Sequence, residues 1–257
     1  MKIASWNVNS LKVRLPHLQQ WLAQAEPDIV ALQETKVTDE AFPRDELAAA
    51  GYQAVYSGQK TYNGVAILSR EEARDVVTDI AGLDDPQRRI LAATVGDLRI
   101  VDLYVVNGKT VGHEKYEYKL RWLAAVRDFL EAELKRHPKL VVLGDFNIAP
   151  DDRDVHDPVA WHDRILCSPP ERAALNAILD LGLTDSFRLF TADRGHFSWW
   201  DYRQGAFRRN LGLRIDLILI SDALKSAAVG ATIDAEPRDW ERPSDHTPVL
   251  LELQPAA

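Results

Sequence analysis

The chain has 257 residues, 46% hydrophobic and 27% charged, with a formal net charge of −8. That composition suits a globular protein with a large core, and length alone allows one large domain or two small ones. The acidic balance argues against a nonspecific nucleic-acid coat but not against a local basic face, and the single Cys167 excludes an intramolecular disulfide and fits a reducing compartment.

Lys2 to Asn7 alternates apolar and polar residues and predicts a first strand, ending in Trp6-Asn7-Val8-Asn9. Leu15, Leu18, Trp21, Leu22 and Ala25 follow at helical spacing, with Pro16 expected in the first turn of that helix. Ile29-Val30-Ala31-Leu32 predicts a buried strand that runs into Gln33-Glu34-Thr35-Lys36. A loop and short helix reach Gly51, then Gln53 to Ser57 alternates like a strand. Asn63-Gly64 is a turn signal ahead of the strand Val65 to Leu68. Asp75 to Ile80 is a further strand candidate, and Gln87-Arg88-Arg89 leads into Ile90 to Val95. Gly96-Asp97 predicts a hairpin turn, after which Leu98 to Val106 returns as a strand carrying Asp102 and Tyr104.

Tyr118 to Leu134 has helical spacing, and Pro138 separates that helix from Leu140-Val141-Val142-Leu143-Gly144-Asp145-Phe146-Asn147. The four apolar residues of that run read as a buried strand. Asp145 and Asn147 then either cap a turn, with Asn147 left-handed, or project together into a site. Ala149 to Pro170 is expected to be irregular, a long loop containing Trp161 and His162. A helix from Pro170 to about Gly182 and a short helical piece from Asp185 to Phe190 follow. Phe197 to Arg209 is aromatic and basic. Arg214 to Ser221 predicts a strand with Asp216 within it, Ala231 to Asp234 a weaker one, and Val249 to Leu253 the last. Pro243-Ser244-Asp245-His246-Thr247-Pro248 precedes that strand, and the tail Gln254 to Ala257 is expected to fray.

No linker or composition shift interrupts the chain, so a single domain over residues 1–257 is expected. Many strands among a few helices, with hairpin connections, predict a layered α/β sandwich. No apolar run approaches the ~20 residues of a membrane span and no signal-peptide pattern is present, so a cytoplasmic protein without membrane contact is expected.

Polar residues recur where apolar strands end: Asn7, Glu34, Tyr104, Asp145 with Asn147, Asp216, and Asp245 with His246. Brought to one edge, carboxylates joined by amide oxygens make a hard, oxygen-rich site that suits magnesium or manganese better than zinc. Such a site can cleave a phosphodiester, which needs an in-line nucleophile, a base for its proton and positive charge on the developing oxyanions. Glu34 is the best candidate ligand. Asp145 can take a proton from water, Asn147 can hold that water, and Tyr104 and His246 can donate to phosphate, with Asp216 fixing the His246 tautomer. Each has a plainer reading: Asp216 pairing with an arginine, Tyr104 as a core aromatic, Glu34 bridging Lys36, Ser244-Asp245-His246 as a turn.

Trp6-Asn7-Val8-Asn9, Leu32 to Lys36, Gly144 to Asn147, Gly212 to Asp216 and Ser244 to Pro248 occur in the order and approximate spacing of the exonuclease III family. The chain resembles that family, which includes bacterial exodeoxyribonuclease III and the apurinic/apyrimidinic endonucleases, from Lys2 to about Leu253. The resemblance implies a four-layer α/β/β/α sandwich of two packed mixed sheets, as in deoxyribonuclease I. It implies Mg²⁺-dependent hydrolysis of double-stranded DNA: 3′→5′ exonuclease activity, abasic-site cleavage and 3′-phosphatase activity, by a monomer. Asn7, Glu34 and Asp245 resemble the metal-side residues, and Asp145, Asn147 and His246 are expected to join them at the metal. Tyr104 and Asn147 resemble residues that orient phosphate and water. Asp145 resembles the group that activates the water, and His246 the phosphate-binding histidine partnered by Asp216. Trp199 looks like part of a pocket wall for an abasic sugar, and Arg88, Arg89 and Arg203 are candidate phosphate contacts. The resemblance leaves open which residue is the base and whether one metal acts or two. A tyrosine at 104 argues against a deoxyribonuclease I-type enzyme, and the intact Glu34, Asp145, Asn147 and His246 argue against a binding protein that has lost catalysis.

Overall fold

The computed structural model describes residues 1–254, and the rest of the tail expected to fray, residues 255–257, lies outside them. Gln254 itself is tied down, its N–H donating to the Ala227 carbonyl at 2.7 Å. In chain order the elements are β1 (Lys2–Asn7), α1 (Leu11–Ala25), β2 (Ile29–Gln33), α2 (Arg44–Ala49), β3 (Gln53–Ser57) and β4 (Val65–Ser69). They continue with β5 (Ala73–Val77), β6 (Ile90–Val95), β7 (Leu98–Tyr104), α3 (Glu114–Arg136) and β8 (Leu140–Asp145). Last come α4 (Pro158–Trp161), α5 (Pro169–Leu179), β9 (Leu183–Asp185), β10 (Asp216–Ser221), α6 (Asp222–Lys225), β11 (Ala228–Ile233) and β12 (Val249–Leu253). No helix among the described residues is long and apolar enough to cross a membrane.

The strands form two six-stranded mixed sheets, ordered β11-β12-β1-β2-β4-β3 and β5-β6-β7-β8-β10-β9. The parallel pairs are β1 with β2 and β7 with β8, each joined by a helical crossover, α1 or α3; the other pairings are antiparallel.

Side-chain alternation builds the four layers. On β1, Ala4 and Trp6 face outward and pack with Leu18, Trp21 and Leu22 of α1. On β7 and β8, Val101, Leu103, Leu140 and Val142 face outward against Trp122, Val126 and Leu130 of α3. The inward faces meet between the sheets: Ile3, Ile29, Ala31 and Leu251 pack against Ile100, Val141, Leu143 and Ile218. Each fully buried aliphatic side chain contributes roughly 1.5–3 kcal/mol, so these two contact layers and the inter-sheet core dominate stability.

Continuing the same inward alternation toward one end of the sandwich turns the core polar. After Ile3 come Ser5 and Asn7, after Ala31 comes Gln33, after Ile100 come Asp102 and Tyr104, and after Leu143 comes Asp145. Asp216 pairs with Asp145, and Val249 with Ser5, so the starts of β10 and β12 lie at the same end.

Several boundaries differ from the sequence pattern. Helix α1 begins at Leu11, so Pro16 lies inside the helix rather than in its first turn and removes one backbone donor there. Strand β5 runs from Ala73 to Val77 rather than from Asp75 to Ile80, and a bulge at Asp75, whose φ is +52°, shifts its register with β6 before pairing resumes at Val77. Helix α3 starts four residues before Tyr118, where His113 caps it by accepting from the Lys115 N–H. Asp185 ends a short strand, the helical piece expected from Asp185 to Phe190 is a 3₁₀ turn at Phe187–Leu189, and Asp216 opens β10 rather than lying within it. The stretch after Ala149 is less irregular than its composition suggests, with a 3₁₀ turn at Asp152–Asp154 and α4 inside it.

Candidate active site

Asn7 and Asp145 occupy inward positions at the ends of central strands in opposite sheets, and the Asn7 Nδ2 donates to Asp145 Oδ2 at 2.9 Å. The same Nδ2 donates to Glu34 Oε1 at 3.0 Å, and the Tyr104 hydroxyl donates to that oxygen at 2.9 Å. One amide therefore joins two carboxylates that would otherwise repel. Lys36 Nζ lies 2.8 Å from Glu34 Oε2, so the plainer pairing read for Glu34 is present together with the site contacts. Burial would raise the Glu34 carboxyl, but the Lys36 charge and the Asn7 hydrogen bond outweigh it and hold it below its ordinary value.

Gly144 to Asn147 forms the expected turn, and the turn still brings the Asp145 and Asn147 side chains together. Asp145 Oδ1 accepts the Asn147 N–H at 2.9 Å, closing a side-chain turn, and Asn147 is left-handed with φ +49°. Asp145 Oδ2 remains turned to Asn7 and also accepts from Asn147 Nδ2 at 3.1 Å. Asn9, Ser10, Glu34 and Lys36 likewise have positive φ in the loops that converge on the site.

His246 is buried with Nδ1 2.8 Å from Asp216 Oδ2, and its Nε2 lies 3.8 Å from Asp145 Oδ2. The Ser198 hydroxyl donates to Asp216 Oδ2 at 2.6 Å and accepts the Ile215 and Asp216 N–H groups. Asp216 is thus committed to the histidine; the neighbouring Arg214 pairs instead with Asp154 and Asp185. Burial alone would lower His246, but the Asp216 and Asp145 charges outweigh it and raise it to about 10. Asp145 is raised to about 7 by burial, with Asp216 and Glu34 adding to the rise and His246 opposing it. Burial and the Glu34 charge push the Tyr104 phenol well above its ordinary value, which keeps it a donor.

Glu34, Asp145 and His246 each offer a ligand atom, and the three atoms lie within 4.8 Å of one another. Two carboxylates against one imidazole make a donor set that fits a hard divalent cation, while the Asn7 and Asn147 amides turn their N–H groups to those carboxylates. Asp245 stands apart from this cluster. Its oxygens accept from Asn9 Nδ2 at 2.9 Å and from Trp199 Nε1 at 3.0 Å. It joins the network through Asn9, whose N–H donates to Asn7 Oδ1 at 3.0 Å.

The basic residues expected to face phosphate are placed differently from one another. Arg89 is buried, stacks on the Tyr104 ring with Cζ 4.6 Å from its centroid, and donates to the Tyr104 carbonyl. Arg88 is more open and pairs with Asp79 at 3.2 Å, while Arg203 is 88% exposed. His162 is exposed beside Asp163 and makes no contact with the cluster. The sequence pattern missed Ser198, Asn9, Arg14 and Lys119. Arg14 donates to the Asn9 and Pro243 carbonyls at 2.6 and 2.9 Å, tying together two loops that flank the site. Only Asn9 had a sequence signal, because it stands in the same strand-end run as Asn7.

Similarity to known proteins agrees with this geometry. The Endonuclease/Exonuclease/phosphatase family matches residues 4–246. The chain is 36% identical to the exodeoxyribonuclease III of Haemophilus influenzae, over 99% of this chain and 100% of that protein. Its fold superposes with a TM-score of 0.98 and 50% identity on a 3′ phosphatase from Neisseria solved bound to a product DNA hairpin, covering 99% of each chain. An AP endonuclease from Archaeoglobus fulgidus matches with a TM-score of 0.95 and 37% identity, over 98% of this chain and 99% of that one. With strand ends, site geometry and full-length similarity in agreement, the chain belongs to the Endonuclease/Exonuclease/phosphatase family, in its exodeoxyribonuclease III and AP endonuclease branch.

Proposed function

We propose that this chain is a DNA-repair nuclease that hydrolyses DNA phosphodiesters with a bound divalent cation, magnesium or manganese. It removes nucleotides from 3′ ends of double-stranded DNA, clears 3′ phosphates and cuts beside abasic sites. The observation that carries this reading is the convergence of Glu34, Asp145 and His246 within 4.8 Å at one end of two packed sheets. The activities and DNA complex described for the Neisseria and Archaeoglobus proteins support the substrate class.

Glu34 is the principal metal ligand, with Asp145, Asn7 and Asn147 beside it, and Asp245 acts through Asn9. When bound, the cation supplies positive charge to the phosphate oxygens. Asp145 takes the proton of the attacking water, while the Asn147 amide, 3.1 Å from its carboxylate, holds that water in line with phosphorus. His246, held by Asp216, donates from Nε2 to a phosphate oxygen, and the Tyr104 hydroxyl donates to another. Trp199 and Arg203 flank the bound strand.

Three duplexes test the proposal: one with an abasic analogue, one with a recessed 3′ end and one with a 3′ phosphate, each with Mg²⁺ and with EDTA. Cleavage is expected only with the metal, and the relative rates rank the three activities. Asp145→Ala is expected to lower kcat by at least about 10³-fold while DNA binding persists. Inactivity on all three duplexes with Mg²⁺, or full activity of Asp145→Ala, overturns the reading.

A further inference from the structure

Behind the turn that carries Asn147 lies a charge that the chemistry above does not use. Lys119, from the first half of α3, is wholly buried, and so is its ion-pair partner Glu171 in the first turn of α5. The ammonium has three donors, and all three are engaged. One goes to Glu171 Oε1, one to the Asn147 carbonyl at 2.6 Å, and one to the Asn107 carbonyl at 3.3 Å. Asn107 touches the site directly, since its Nδ2 donates to Asn147 Oδ1 at 3.1 Å. Glu171 gathers the far end of the long loop as well. It accepts the Leu166 N–H and the Ser168 N–H, each at 3.1 Å, and the Ser168 hydroxyl at 2.6 Å.

A buried ion pair is a poor stabiliser, because desolvation offsets most of the Coulombic attraction and apolar replacements are often as stable. What this pair adds is direction. Asn147 has φ +49°, a conformation that costs energy for any residue but glycine, and it persists only where its surroundings over-determine it. Its side chain is fixed from the front by Asp145, Val105 and Asn107. Among the described residues, Lys119 is the one side chain that donates to the Asn147 carbonyl, from behind.

We propose that the Lys119–Glu171 pair is the positioning device of the active site, setting the Asn147 amide against Asp145 by pinning the carbonyls of two site loops from beneath. This rests on the nuclease reading for its kinetic consequence, but not for its structural one. Lys119 touches no substrate; it acts through Asn147.

The test uses the full chain, with Lys119→Met and the double variant Lys119→Met/Glu171→Gln. The single variant strands a buried carboxylate and is expected to lose stability. The double variant removes both charges; the glutamine oxygen still accepts from Ser168 while the Leu166 N–H loses its acceptor, so its Tm is expected to recover only part of the loss. On the recessed duplex, its kcat is expected to fall about 10–100-fold with KM for DNA unchanged, as a loss of orientation requires. Amide hydrogen exchange over residues 145–149 is expected to quicken in the double variant, with or without DNA. A folded double variant with wild-type kcat and wild-type exchange in that segment, whatever its Tm, overturns the proposal. If the wild-type protein cleaves no DNA but the exchange still quickens, the nuclease reading fails and the positioning role stands.

Discussion

Asp102 sits on the inward face of β7, two residues before Tyr104, and is wholly buried. Gln33 Nε2 donates to its Oδ1 at 2.7 Å and to the Ser5 hydroxyl at 3.0 Å. Asp102 Oδ2 and Gln33 Oε1 are both buried acceptors without a donor. A proton on Asp102 would turn one of these orphan acceptors into a donor. Burial accordingly pushes this carboxyl well above its ordinary range, against the Gln33 hydrogen bond. The folded state then keeps a proton that the unfolded chain releases near pH 3.9, so stability is greatest below that pH and falls as pH rises toward the folded pKa. Asp102→Asn has no proton to lose and can donate from its amide. Its stability relative to wild type is expected to grow by about 1.4 kcal/mol per pH unit from pH 4 upward, until the folded carboxyl ionises. Urea unfolding across pH checks this, and parallel pH profiles for the two proteins would refute a protonated Asp102.

At the scale of elements, the pairing of β7 with β8 explains why the run before Asp145 contains glycine. Gly144 has φ +139°, and a Cβ added there would lie 1.9 Å from the Leu103 carbonyl oxygen. The close approach lets Tyr104 and Asp145 stand side by side at the two strand ends. Gly144→Ala forces the strands apart and strains the backbone, a combined cost of about 2–5 kcal/mol. Denaturant unfolding measures that loss, and a loss under about 1 kcal/mol would show that the strands separate freely. The helices serve the site in the same indirect way. Helices α1 and α3 make the crossovers that bring β1 beside β2 and β7 beside β8, so four strand ends face one way.

At the scale of the whole molecule, a chain of net charge −8 must meet a polyanion through a local surface. Arg203, 88% exposed, pairs only loosely with Asp201 at 4.0 Å, whereas Arg88 pairs more closely with Asp79 at 3.2 Å. Arg203→Ala is expected to weaken DNA binding and to reduce the slope of log K against log salt by about 1. Arg88→Ala is expected to reduce it by less, because its loss also frees an acidic neighbour. Titrations with a DNA duplex at several salt concentrations give both slopes, and equal, unchanged slopes would remove these residues from the DNA-facing surface.

Much of the site was legible in the sequence because strands alternate and end abruptly. Asn7, Tyr104 and Asp145 were legible as polar groups closing predicted strands, but only the stacking of the two sheets put them on one interior face. Glu34, Asp216 and His246 were legible as polar groups beside apolar runs, and the family resemblance arranged them. Tertiary structure alone decided which partner each side chain took. Asp245 turns to Asn9 and Trp199 instead of the cluster, and Arg89 turns inward to Tyr104 instead of outward. Lys119 and Glu171 are 52 positions apart on two amphipathic helices, where a buried charge leaves no local signature. Periodicity fixes the face on which a residue stands, but a hydrogen bond or ion pair between distant segments depends on how the layers stack.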